Sequence, residues 1–182
     1  MDSRILIALA VFVALAIILG FILARRRRRQ QLRTRFGPEY DRTLRQHGSA
    51  RQADALLEQR EKRVASLEIR PLPDSAQQRF SQHWWEIQRR FVDDPTGAIA
   101  AADSLVTDVM SARGYPMTDF EQQSADISVD HPLVVENYRS AHEIASRQKS
   151  GKTSTEELRK AMVHYRSLFE ELLGGPERRE VA

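Results

Sequence analysis

From Ile5 to Ala24 every position is apolar, and Arg25 to Arg29 follow without a break. About 20 residues rising 1.5 Å each give a helix about 30 Å long, the thickness of a bilayer's hydrocarbon core. The pattern predicts a transmembrane helix over 5–24 and a polybasic juxtamembrane segment over 25–35. A cleaved signal peptide fits less well, because its apolar region is about 7–15 residues and its charges come first. A buried core helix would not be apolar on every face over this length and then meet a block of arginines.

Beyond the basic block the pattern becomes amphipathic. Gln30–Phe36 continues the helix, Gly37-Pro38 interrupts it, and Pro38 with Glu39 and Asp41 opens the next. His47-Gly48-Ser49 reads as a stop. Ala50–Ile69 is rich in strong helix formers and carries a thin stripe of Ala53, Leu56, Leu57, Val64 and Leu67. Arg70-Pro71-Leu72-Pro73 ends it. Residues 36–73 thus read as a charged helical stalk.

Residues 74–174 read as a compact helical bundle. Phe80, Trp84, Ile87 and Phe91 share one face of a helix capped by Asp74 or Ser75. Asp94-Pro95 starts a helix that runs through Ile99, Ala102, Val106, Val109 and Met110 to Gly114. Thr118 and Glu121 have capping-box spacing for a short helix. Ile127–Val129 is a candidate strand fragment, too short to imply a sheet. Asp130-His131-Pro132 opens another helix, and Ser154 and Glu157 make a second capping box. The last stripe is Leu158, Met162, Tyr165, Phe169 and Leu172. A charged tail, 175–182, reads as disordered. The expected fold class is all-α: a membrane helix, a charged stalk and a multi-helix domain.

Charge orients the chain. Of its 28 basic and 25 acidic residues, eight basic and one acidic lie before Phe36, which leaves 20 against 24 in the body. The body is acidic although the whole chain is +3, so the basicity belongs to the juxtamembrane block and gives no reason to expect specific nucleic-acid binding. Arg25, Arg26, Arg27, Arg28, Arg29, Arg33 and Arg35 would face anionic lipid headgroups. Basic residues after a span keep that side cytoplasmic, which puts the N-terminus outside. Ala16, Gly20 and Ala24 recur every four residues, a spacing that lets two membrane helices approach and form a homodimer. The chain has no cysteine, in keeping with a reducing compartment.

Few residues suggest chemistry. His131, His142, His164 and Glu136 are weak metal candidates, since His/Glu sets hold zinc or iron. No HExxH or Glu-x-x-His pair is present, and polar positions within a helical core explain these residues more simply. No nucleophile elbow or phosphate-cradling loop exists either. Asp103 lies near a buried stripe, where an ion pair with an arginine of a neighbouring helix is expected. Trp84 belongs to the core stripe. Trp85 lies beside it, and core packing is the first explanation. Trp85 is nevertheless the candidate anchor for a protein partner.

Four segments carry a likeness: Arg35–Asp41 (RFGPEYD), Phe91–Pro95 (FVDDP), Asp130–Arg139 (DHPLVVENYR) and Glu156–Arg166 (EELRKAMVHYR). Together they resemble a family of uncharacterised bacterial single-span membrane proteins. The resemblance implies a bacterial inner-membrane location and no activity. The expected function is a membrane-held protein-interaction adaptor or scaffold with a cytoplasmic helical domain and no cofactor. The alternative is a metal-binding or enzymatic domain on the same tether.

Overall fold

The computed structural model describes residues 3–148, 150–151 and 153–174, with side chains from Phe12 onward. The chain is all-α: the described residues form eight helices and no strand. The tail at 175–182 lies outside them. The chain divides into two compact units at Glu58/Gln59.

The first unit contains α1 (Ser3–Phe36), α2 (Pro38–His47) and the beginning of α3 (Ala50–Ala65). As expected, Gly37-Pro38 makes the corner. Gly37 adopts φ 47°, which an L side chain rarely tolerates, and Pro38 takes the first helical position. Leu32, Phe36, Tyr40, Ala53 and Leu57 are buried. α1 and α3 each contribute two residues four apart, and α2 contributes Tyr40. Thr43 is buried among them with its hydroxyl donating to the Glu39 carbonyl (2.9 Å).

Every large apolar side chain described between Phe12 and Leu23 is 43–70% exposed. Among the described residues, no helix is long and apolar enough to cross a membrane. Described side chains in the predicted span cover only 12–24, short of the about 20 residues a span needs. The rest of the 5–24 prediction lies outside them.

The second unit contains α4 (Asp74–Arg90), α5 (Pro95–Arg113), α6 (Phe120–Asp130), α7 (Val135–Gln148) and α8 (Thr155–Leu172), together with the end of α3. α8 packs against both α5 and α7, α4 lies on α5, and α6 lies on α7. The core runs through Ile87, Ile99, Leu105, Tyr138, Leu158 and Leu168. Asp94 caps α5 by accepting from the Gly97 N–H (2.8 Å), and Gly114 ends it at φ 100°. Ser154 and Glu157 form the reciprocal capping box of α8.

Five expectations are corrected. Pro73, not Asp74 or Ser75, holds the N-cap position of α4, with no side-chain cap bond. Ile127–Val129 is helical within α6, not a strand, and all three residues are buried. Asp119, not Thr118, caps that helix by accepting from Gln122 N–H (3.0 Å). α7 begins at Val135, because His131-Pro132 first makes a turn. α3 ends at Ala65, short of Ile69.

Candidate functional site

Part of the basic block is tied to the fold. Arg28 bonds Glu58 (3.1 Å), Arg29 bonds Asp54 (3.0 Å), and Arg33 lies 3.9 Å from Asp41. The Tyr40 hydroxyl donates to the other Asp54 oxygen (2.8 Å), and the Arg33 guanidinium sits 5.2 Å from the Tyr40 ring centre. Burial, then the Asp54 carboxylate, pushes the Tyr40 phenol above its ordinary range. These arginines share a helical face with buried Leu32 and Phe36, four residues apart. Their partners come from α2 and α3, so they tie the first unit together.

Arg25, Arg26 and Arg27 are exposed and have no carboxylate partner among the described residues. Arg27, Gln30, Gln31, Thr34 and Arg35 line a groove of about 500 Å³. Ala16, Gly20 and Ala24 lie exposed along α1.

In the second unit the proposed metal candidates are dispersed. His131 Nδ1 lies 3.1 Å from Glu171 Oε1, and His164 Nδ1 lies 3.1 Å from Asn137 Oδ1. Glu136 lies 3.5 Å from Arg139, one turn along the same helix. His142 Nδ1 is 3.6 Å from Asp103 Oδ1, beyond hydrogen-bond distance. Among the described residues no three His, Asp or Glu side chains gather to hold a metal ion.

Asp103 also has neighbours besides charged ones. It accepts from the Tyr165 hydroxyl at 2.8 Å, with His142 beside it. The His142 ring stacks on Phe120 (3.7 Å between centres, 10° between planes), and Tyr138 closes the cluster against Phe120. Burial, then the Asp103 charge, pushes both the Tyr138 and Tyr165 phenols well above the usual range. Both stay neutral at physiological pH and serve as hydrogen-bond donors rather than bases. A carboxylate held by a phenol in a mostly aromatic setting is a structural clasp across α5, α7 and α8. Sequence reading marked Asp103 as half-buried but could not supply Tyr165, whose position on the α8 stripe reads as plain core.

A second clasp escaped sequence reading entirely. Asp126 on α6 is 1% exposed and accepts from Arg63 Nε (2.9 Å) and from Gln122 (2.7 Å).

The paired tryptophans separate. Trp84 is 5% exposed and stacks on Phe169 of α8, with ring centres 4.7 Å apart and planes 17° apart. Trp85 is 68% exposed and does not join the core. One to three turns before it, Asp74, Gln77, Gln78, Ser81 and Gln82 line a polar trough on the same helix.

No protein family, no curated protein and no solved structure gives a match to this chain.

Proposed function

We propose that this chain is a single-span protein of the bacterial inner membrane, with its N-terminus outside. In this reading the cytoplasmic helical domain acts as a protein-interaction adaptor, with Trp85 as the partner anchor and the basic block against anionic headgroups. The observation that carries the anchor is the exposed apolar surface of α1 from Phe12 to Leu23, continuous in sequence with seven further apolar residues from Ile5. A contiguous apolar surface of this kind is unfavourable in water and calls for lipid or protein cover. For the adaptor role, the support is a tryptophan held out of the core on a rigid helix, the residue type most enriched at interaction hot spots. The alternative of a metal or enzymatic centre draws no support from the dispersed histidines.

Two measurements test the reading separately. Alkaline carbonate extraction of membranes should leave the full chain in the pellet, and release into the supernatant would refute the anchor. Crosslinking in native membranes should then capture a partner that is lost from the Trp85→Ala variant with its fold intact. A partner set unchanged by that substitution would refute the role of Trp85.

A further inference from the structure

We propose that the solvent-facing side of α4 pairs with the same side of a second copy of this chain, running antiparallel. The inference rests on the readings of a membrane anchor and of Trp85 as a partner anchor, and it names that partner. At 100° per residue, Asp74, Gln78, Ser81, Trp85 and Arg89 fall within about 40° of one line along the helix. That line lies away from the buried Phe80, Trp84 and Ile87. Trp85 is 68% exposed, and Asp74, Gln78 and Arg89 are exposed as well. Neither Asp74 nor Arg89 has an ion-pair partner among the described residues, whereas the next arginine, Arg90, is held by Asp94 (2.6 Å).

The order of features along this line makes it complementary to its own reverse. A negative charge stands at the start and a positive charge near the end. Between them the indole follows a polar trough of about 510 Å³ lined by Asp74, Gln77, Gln78, Ser81 and Gln82. An antiparallel copy centred between Ser81 and Gln82 satisfies each feature twice, as a two-fold contact must. Asp74 meets the partner's Arg89, and Arg89 meets the partner's Asp74. Each Trp85 lies over the trough of the other copy, where side-chain amide oxygens can accept from its indole N–H. The small Ser81 sits at the crossing, where a long side chain would hold the helices apart. A parallel copy would instead set acid against acid and arginine against arginine, and both troughs would stay unfilled.

One helix face is smaller than the about 800 Å² per partner of a standard interface, so free copies pair weakly. Copies held in one membrane meet at high effective concentration, which favours a contact too small to hold free copies together.

The chain has no cysteine, so one introduced cysteine reports this contact alone. In the antiparallel register the two Ser81 positions lie about 1.5 Å apart along the axis, and the two Gln88 positions about 20 Å apart. Full-length Ser81→Cys in native membranes, treated with copper phenanthroline, should form a disulfide-linked dimer. Gln88→Cys, on the same side of the helix, should stay monomeric. In the Ser81→Cys background, Arg89→Asp replaces both ion pairs by like-charge contacts and should slow crosslinking at least about ten-fold, given about three-fold for each surface pair. Asp74→Arg/Arg89→Asp restores both pairs in reverse and should recover the rate. Alkaline extraction and tryptophan fluorescence verify that each variant is membrane-retained and folded. Absence of the Ser81→Cys dimer from a retained, folded chain would overturn the pairing. Equal crosslinking of Ser81→Cys and Gln88→Cys, or no recovery in the charge-swapped variant, would overturn it as well. Capture of a different protein that depends on Trp85, without the Ser81→Cys disulfide, would overturn the pairing and leave the adaptor reading standing.

Discussion

The adjacent tryptophans permit a sharp comparison, because one substitution chemistry meets two opposite environments. Trp84→Ala removes a side chain that is 5% exposed and stacked on Phe169. Large-to-small changes of a buried tryptophan cost about 3–5 kcal/mol, combining lost transfer energy and a cavity that neighbours fill only in part. A domain of this size has about 5–15 kcal/mol of stability in total, so the loss is a large share. Trp85→Ala removes a side chain that is 68% exposed and should change stability by less than about 0.5 kcal/mol. The assay is urea unfolding of the full chain followed by tryptophan fluorescence, which reads the second unit because both tryptophans lie there. With a slope of about 2 kcal/mol per molar urea, Trp84→Ala should lower the midpoint by about 1.5–2.5 M, and Trp85→Ala by under about 0.3 M. Each variant also leaves a single reporter. Trp84 alone should emit at short wavelength and resist acrylamide, and Trp85 alone should emit at long wavelength and quench freely. A Trp85→Ala variant destabilised by more than about 1 kcal/mol, or a blue-shifted and protected Trp85, would refute the placement and the partner-anchor argument built on it.

Three further outcomes are expected. Arg63→Ala should destabilise the second unit by about 2–3 kcal/mol, below the about 3–5 kcal/mol for breaking a fully buried pair because Arg63 itself is partly solvated; an Arg63→Ala/Asp126→Ala double variant should recover part of that loss in chemical unfolding. Gly114→Ala should cost more than about 1 kcal/mol, since φ is 100° and the added Cβ would lie 2.5 Å from the Glu68 carbonyl oxygen; a thermal midpoint equal to wild type would contradict that geometry. The caps should also shape the acid limb of stability. The Gly97 N–H and then Arg90 hold Asp94 below the ordinary carboxylate range, and the Ser154 backbone and hydroxyl do the same for Glu157. A lowered folded-state pKa means that the unfolded chain takes up its proton first as pH falls. The stabilisation is therefore complete above the unfolded value near pH 4 and is lost as pH drops through the folded one. Asp94→Asn and Glu157→Gln should each flatten the fall in thermal midpoint below about pH 4 while changing little between pH 6 and 8.

How much of this could be read in the sequence depended on whether the signal was local. Pro38, Gly48, Asp94-Pro95, Gly114 and the Ser154/Glu157 box announce helix ends through their own backbone chemistry, and each end falls where it was expected. Local signals also missed by a few residues, as at the α6 cap and the end of α3, and the larger failures involve partners far along the chain. Ile127–Val129 looks like a strand because its apolar residues alternate with Ser128, yet Ser128 is itself buried and returns a hydrogen bond to the Ala125 carbonyl. Its burial comes from tertiary packing, and period-two alternation then carries no information about which face meets solvent. The Arg63–Asp126 pair joins residues 63 positions apart, and the Tyr165–Asp103 bond spans 62. Nothing in either local pattern names the other end.

Trp85 makes the same point about the width of a helical stripe. Periodicity gives the direction of the apolar face, and Trp84, Ile87 and Phe80 all point inward as their spacing requires. Width is set by how many neighbours surround a helix. α5 has α4, α7 and α8 against it, and it buries a broad arc from Ala98 and Ile99 through Leu105 and Val106 to Val109 and Met110. α4 rests chiefly on α5, with Trp84 reaching Phe169, and an edge helix of that kind covers only a narrow arc. Residue 85 is turned by about 100° from residue 84, which takes it past the rim of that arc and into solvent. A tryptophan placed there, 68% exposed, contributes little to the packing that holds the bundle together. The adaptor role proposed above would give that side chain a function that packing does not.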